Sequence, residues 1–149
     1  MENKIITTRP LEMGDAEQIK QIDSEGEFEI FDFIEDMLEE QDEYRAKGED
    51  YSQDYAYGIF VNDELVGYCT IGGADEIECA GGEDELLGDV YIRETHRGKG
   101  YGRKLVEFAL ADHPKYNIFA DILYDELEAF YANFGFVRKE LGLLVLERK

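Results

Sequence analysis

The amino-acid sequence predicts one α/β domain built on a mixed sheet, and three observations carry that prediction. Short β-like runs alternate with longer segments of helical apolar spacing, in the order β-α-α-β-β-β-α-β-α-β-β. Two of the runs, Tyr55–Val61 and Leu65–Ile71, are joined through Asn62-Asp63-Glu64. Asn and Asp tolerate positive φ, so this is a β-hairpin signal. The stretch Leu86 to Leu110 passes from an apolar run through closely spaced glycines into a helix-period segment, a strand–turn–helix unit. The 149 residues suffice for one core and are too few for two comfortable ones, so a single domain over 1–149 is expected.

Taken in order, Lys4–Thr8 is a short strand ended by Pro10, and Gly14-Asp15 opens a short helix carrying Ile19 and Ile22. A longer helix runs from about Glu27 to Ala46, with Ile30, Ile34, Met37, Leu38 and Tyr44 as its apolar stripe and Asp and Glu on its wet face. Gly48–Gln53 is a polar loop before the hairpin. Gly72–Asp84 is rich in glycine and acid and reads as a loop or frayed strand end; its carboxylates are out of register for a calcium loop. Leu86–Ile92 follows as a strand bent or bulged near Gly88. The next helix shows Tyr101, Leu105, Phe108 and Ala109 on one face, and Asp112-His113-Pro114 closes it. Asn117–Leu123 is a strand. Asp125 can N-cap a helix with Glu128 in its first turn, Leu127, Phe130, Tyr131 and Phe134 on its apolar face, and Gly135 at its end. Phe136–Glu140 and Leu143–Glu147 pair around Leu141-Gly142. Repeats, low-complexity tracts and linkers are absent from the sequence.

Composition narrows the function classes. There are 36 acidic against 15 basic residues, a formal net charge of −21, with 44% hydrophobic and 13% aromatic residues. That hydrophobic content argues against disorder. So negative a surface is expected to repel nucleic acid and anionic membranes and to favour cationic partners. Cys69 and Cys79 are too few and isolated for a zinc site or disulfide framework, so no metal is expected. The amino-terminal MENKIITTRP lacks an apolar signal region and no window approaches a membrane span, which makes the cytoplasm the expected location.

The basic exception is Arg97-Gly98-Lys99-Gly100-Tyr101-Gly102, followed by Arg103. A strand feeding a helix through a glycine-rich turn leaves the first helical N–H groups without intrahelical partners. Their partial positive charge makes an anion site, and glycine lets a phosphate approach the main chain. The P-loop pattern is absent, and the dinucleotide fingerprint fails because Arg103 stands where its third glycine is needed.

What remains, R-x-x-G-x-G, resembles the pyrophosphate loop of the GNAT superfamily of N-acetyltransferases, Q/R-x-x-G-x-G/A between the fourth strand and third helix. A second stretch, Ala129-Phe130-Tyr131-Ala132-Asn133-Phe134-Gly135-Phe136, is similar to the family's A-x-x-F/L-Y-x-x-x-G-F segment, with the F-Y…G-F core intact. The resemblance covers essentially the whole chain. It implies a mixed, mostly antiparallel sheet flanked by helices, with splayed central strands, and acetyl-CoA as cosubstrate. It further implies that Gly98, Lys99, Gly100, Tyr101, Gly102 and Arg103, with Arg97, hold the pyrophosphate. Val90 and Ile92 would contact the pantetheine arm by backbone, the Ile92 N–H polarising the thioester carbonyl. Tyr131 aligns with the tyrosine near the thioester sulfur, a general acid for the departing thiolate.

The base stays open between Asp89 in the fourth strand and Asp121 in the fifth, either of which can equally be a paired or solvated carboxylate; Asp121 shares side-chain parity with Phe119. His96 and His113 are read as packing or solvated residues. Two departures stand out: Tyr124 where many relatives have asparagine seven residues before the tyrosine, and Glu94 in place of a common proline. The implied activity is acetyl transfer to a primary amine of a cationic small molecule or peptide by direct attack in a ternary complex. The alternatives are a non-catalytic acyl-CoA-binding regulatory module and an acidic decoy for basic proteins. Expected partners are a small-molecule or peptide amine, with no nucleic acid and no membrane, and a homodimer left open.

Overall fold

In the computed structural model, which describes residues 4–26, 30–49, 54–122 and 126–148, Asn62 and Asp63 take positive φ of 51° and 68°. They close a two-residue turn between β2 (Tyr55–Val61) and β3 (Glu64–Gly73), the hairpin their side chains predict. β1 (Ile6–Pro10) pairs antiparallel on the outer edge of β2. It runs through Pro10, two residues past the expected end. An edge strand tolerates a residue without an N–H, and Pro10 still faces Tyr57.

β4 (Glu85–Ile92) pairs with β3, β5 (Ile118–Asp121) lies parallel to β4, and β6 (Val137–Glu140) and β7 (Leu143–Leu146) form the last hairpin. The sheet order is β1-β2-β3-β4-β5-β7-β6, antiparallel throughout except at β4–β5. This mixed, mostly antiparallel sheet is the architecture the sequence implies.

Helices cover both faces. α3 (Tyr101–Ala111) and the short α4 (Leu127–Ala132) lie on one, where Leu105, Val106 and Ala109 pack on Tyr57, Ile59, Cys69 and Ile71. α1 (Ala16–Gly26) and α2 (Ile30–Ala46) lie on the other, with Ile19, Ile22, Ile34 and Met37 against Ala56, Phe60, Leu65 and Tyr68. A third cluster of Ala74, Phe119, Leu143 and Val145 packs beneath the acidic loop after β3. The expected helix face is corrected at one position: Leu127 is 40% exposed. It stands at the first turn, beyond the reach of the sheet. The calls on Glu27, residues 50–53, Leu123, Tyr124 and Asp125 lie outside the described residues, as does the side chain of Ile30.

The centre of the sheet carries two irregularities. Cys69 faces Val90 and Ile71 faces Leu87, so Thr70 opposes both Gly88 and Asp89, a β-bulge where the sequence places one. A Cβ on Gly88 would lie 2.5 Å from Thr70 Oγ1, which explains the glycine. On the other side, β4 pairs with β5 only at Glu85–Ile118, Leu86–Phe119 and Leu87–Ala120. Beyond Leu87 the two strands part, and among the described residues β4 presents an open edge.

Candidate active site

The glycine loop delivers the geometry its sequence predicts. Gly98 and Gly100 have φ of 76° and 82°, a conformation L side chains rarely adopt, and a Cβ at either would meet nothing within 4 Å. Gly100 is the N-cap of α3 without a side-chain cap, and Lys104 N–H is the one that returns to Gly100 O, at 3.2 Å. The amides of Tyr101, Gly102 and Arg103 therefore face the helix mouth uncommitted among the described residues. They edge a concavity of about 320 Å³ between Ile92, the loop and Phe130 of α4.

Full charges surround this mouth. Lys99 and Arg103 are exposed, Arg103 pairing with Glu107 one turn on at 2.9 Å. Arg97 turns back, its Nε donating to Ile92 O at 2.8 Å and its guanidinium lying 5.5 Å from the Tyr91 ring centroid. Tyr101 is buried in the core yet borders the concavity, with the His96 ring 6.2 Å away.

The open edge of β4 continues the site. Arg93 N–H donates to Val66 O at 2.8 Å, so the N–H of Arg93 points toward β3. Alternation along an antiparallel pair then turns the main-chain groups of Ile92 and Val90 the other way, into the gap between β4 and β5.

Tyr131 projects from α4 into the core on its face of the sheet, 7% exposed, with Phe130 and Phe136 edge-on at 5.3 and 5.6 Å. Burial, with smaller contributions from Cys69 and Asp89, pushes its phenol above the ordinary value of 10. Asp89 is exposed on the bulge and its field reaches both Tyr131 and the buried Tyr68. Asp121 ends β5 on the parity of Phe119, whereas Ile118 and Ala120 pack on the face that carries Tyr131. Strand parity thus sets Asp121 on the face opposite Tyr131, while Asp89 reaches Tyr131 only through its charge. Cys69 is buried among the residues of Tyr131's face, and burial pushes its thiol up. Sequence reading missed it, along with Phe130 as a wall, because strand and helix periodicity mark both simply as core.

A larger concavity of about 500 Å³ lies at the opposite end of β4, bordered by Tyr55, Glu85, Asp112 and His113. Asp112, His113 and Glu85 belong to one network there. Tyr57 O–H donates to Asp112 at 2.6 Å, its oxygen lies 2.6 Å from His113 Nε2, and His113 Nδ1 lies 2.7 Å from Glu85. That network ties the end of α3 to β2 and β4, and makes His113 a packing residue. Among the described residues no cluster of three or more His, Cys, Asp or Glu could hold a metal ion, and no helix is long and apolar enough to cross a membrane.

The acetyltransferase (GNAT) domain family matches residues 53–138. No curated protein matches the sequence. An N-acetyltransferase from Staphylococcus aureus Mu50 superposes with a TM-score of 0.71 at 14% identity, covering 99% of this chain and 100% of that one. A GNAT family acetyltransferase from Brucella melitensis, solved in complex with acetyl-CoA, gives 0.62 at 18% identity over 96% and 88% of the two chains.

Two further chains of this fold correct the expected partners. AtaT, solved with acetyl-methionyl-tRNAfMet, gives a TM-score of 0.61 at 18% identity over 96% and 95%; KacTA, solved with DNA, gives 0.50 at 24% over 76% and 79%. The expectation of an amine partner with nucleic acid excluded does not stand. Net charge is a sum over the surface, whereas a phosphate backbone responds to local potential, and Arg97, Lys99, Arg103 and Lys104 stand close together at one loop. The family match spans more than half of the 149 residues and the fold agrees from end to end: the chain belongs to the GNAT superfamily of acetyltransferases.

Proposed function

We propose that the protein transfers the acetyl group of acetyl-CoA to a primary amine by direct attack within a ternary complex. Acetyl-CoA is the cosubstrate of the family, and the loop suits it: two positive-φ glycines clear a cradle at a helix mouth whose amides are uncommitted. In this reading the amides of Gly98 to Arg103 hold the diphosphate, with Lys99 and Arg103 adding charge. The outward main chain of Val90 and Ile92 takes the pantetheine amides as a further strand would, and the Ile92 N–H polarises the thioester carbonyl.

Tyr131 supplies a proton to the departing thiolate. Its raised phenol remains protonated at neutral pH, the state an acid requires. Asp89 or Asp121 takes the proton that the acceptor ammonium gives up, directly or through water. Of the two, Asp89 is favoured by the charge it presents to Tyr131. Direct attack is supported by Cys69, the cysteine nearest the acid: burial keeps its thiol protonated and unsuited to carrying an acyl group.

The observation that carries the reading is the glycine cradle aligned with an open strand edge and a buried phenol. The test is free-thiol release from acetyl-CoA over small amines, peptides and aminoacyl-tRNA. Tyr131→Phe should slow release by about 10²-fold while leaving coenzyme A affinity within about twofold. Coenzyme A binding without turnover of the thioester on any acceptor would instead establish a non-catalytic binding module.

A further inference from the structure

We propose that Arg97 is a positioning residue, whose Nε–H rather than its charge fixes the glycine loop against the open edge of β4. The inference rests on the proposed site and deepens it, because a cradle and a strand edge serve one ligand only when their spacing is held.

The key unit is the peptide between Ile92 and Arg93. Its N–H donates across to Val66 O of β3 at 2.8 Å, and its C=O accepts from Arg97 Nε at 2.8 Å on the opposite side. One planar group is therefore pinned at both ends, at the place where the strand gives way to the loop. Between the pinned carbonyl and its donor the chain makes a single tight turn, with His96 N–H on Arg93 O at 2.8 Å. Arg97 itself is extended, φ −75° and ψ 156°, and Gly98 at φ 76° then swings the chain toward the helix mouth. The guanidinium lies over the Tyr91 ring, back along the strand. A carbonyl oxygen has two lone pairs, so the clip leaves Ile92 able to accept a second bond.

Side-chain chemistry separates the donor from the charge. In glutamine the amide nitrogen hangs on Cδ, the atom that carries Nε in arginine, so Arg97→Gln keeps the donor in place and removes the charge. Lysine has a methylene at that point, so Arg97→Lys keeps the charge and removes the donor.

Calorimetry with coenzyme A on the full chain, at low and high salt, decides the matter across wild type, Arg97→Gln, Arg97→Lys and Arg97→Ala. Arg97 is exposed, and a thermal melt of each variant checks that it folds. The expected result is Gln within about twofold of wild type with the same salt dependence, and Lys and Ala each weaker by about tenfold. The proposal is overturned if Lys retains affinity while Gln loses it, or if Gln falls together with Lys and Ala. It is equally overturned if all three variants match wild type, or if Gln flattens the salt dependence, the mark of a lost phosphate contact. Failure of the site itself would look different: wild type would then give no heat, and this role would fall with it.

Discussion

Tyr131 places a hydroxyl where burial, Cys69 and Asp89 all oppose its ionisation. A general acid of this kind keeps its proton past pH 10, so thiol release should show no alkaline fall below that pH. A falling limb near pH 8 or 9 that vanished in Tyr131→Phe would contradict the assignment. The same competition between burial and partners is visible at Asp15. Burial pushes its carboxyl up, but both Arg9 nitrogens at 2.8 Å and the Glu12 N–H outweigh it and hold it below the usual 3.8. A depressed carboxyl stabilises the fold fully above its unfolded value and loses that contribution as pH falls through the folded one. Arg9→Gln should therefore cost about 1–3 kcal/mol at pH 7 in urea unfolding, with the difference shrinking below about pH 4. Tyr131 was singled out by a local F-Y…G-F pattern. The network of Tyr57 and His113 was not, since those residues stand 56 positions apart and only the closed sheet brings them together.

At the scale of elements, strand β4 decides what the site can do. Its bulge was legible at Gly88, where a glycine interrupts an apolar run. Its open edge was not, because only strand pairing reveals that β5 departs after Leu87. The position of β4 depends on how closely β3 approaches it. A Cβ on Gly67 would meet Ile92 Cδ1 at 2.5 Å and Tyr91 O, a backbone atom, at 2.6 Å. Gly67→Ala must force the two strands apart, at a cost of about 1–3 kcal/mol in denaturant unfolding. Because the displaced segment includes Ile92, coenzyme A affinity should fall in the same variant. An unchanged affinity would separate the strand edge from ligand binding. Helix α3 was the easiest element to foresee, its apolar residues at 101, 105 and 109 all buried and its glycine entry unambiguous.

Across the whole molecule, element order and fold class were readable because each segment's local pattern agrees with its place in the sheet. Charge was the poorer guide. The −21 total invited an exclusion of nucleic acid that relatives of the same fold do not respect, since a sum over the surface hides a basic loop on an acidic body. Most acidic residues of α2 are exposed, and acceptor chemistry is not written in them. What organises the molecule is the meeting of helix mouth and strand edge on one face of the sheet. The most direct test is titration calorimetry of coenzyme A against the wild-type chain and Gly100→Glu. Gly100 sits at φ 82° with open space around it, so the variant costs about 1 kcal/mol in backbone strain and should still fold. Saturable heat with wild type that disappears in Gly100→Glu is the expected result. Equal heats from both proteins, or none from wild type, would contradict the account.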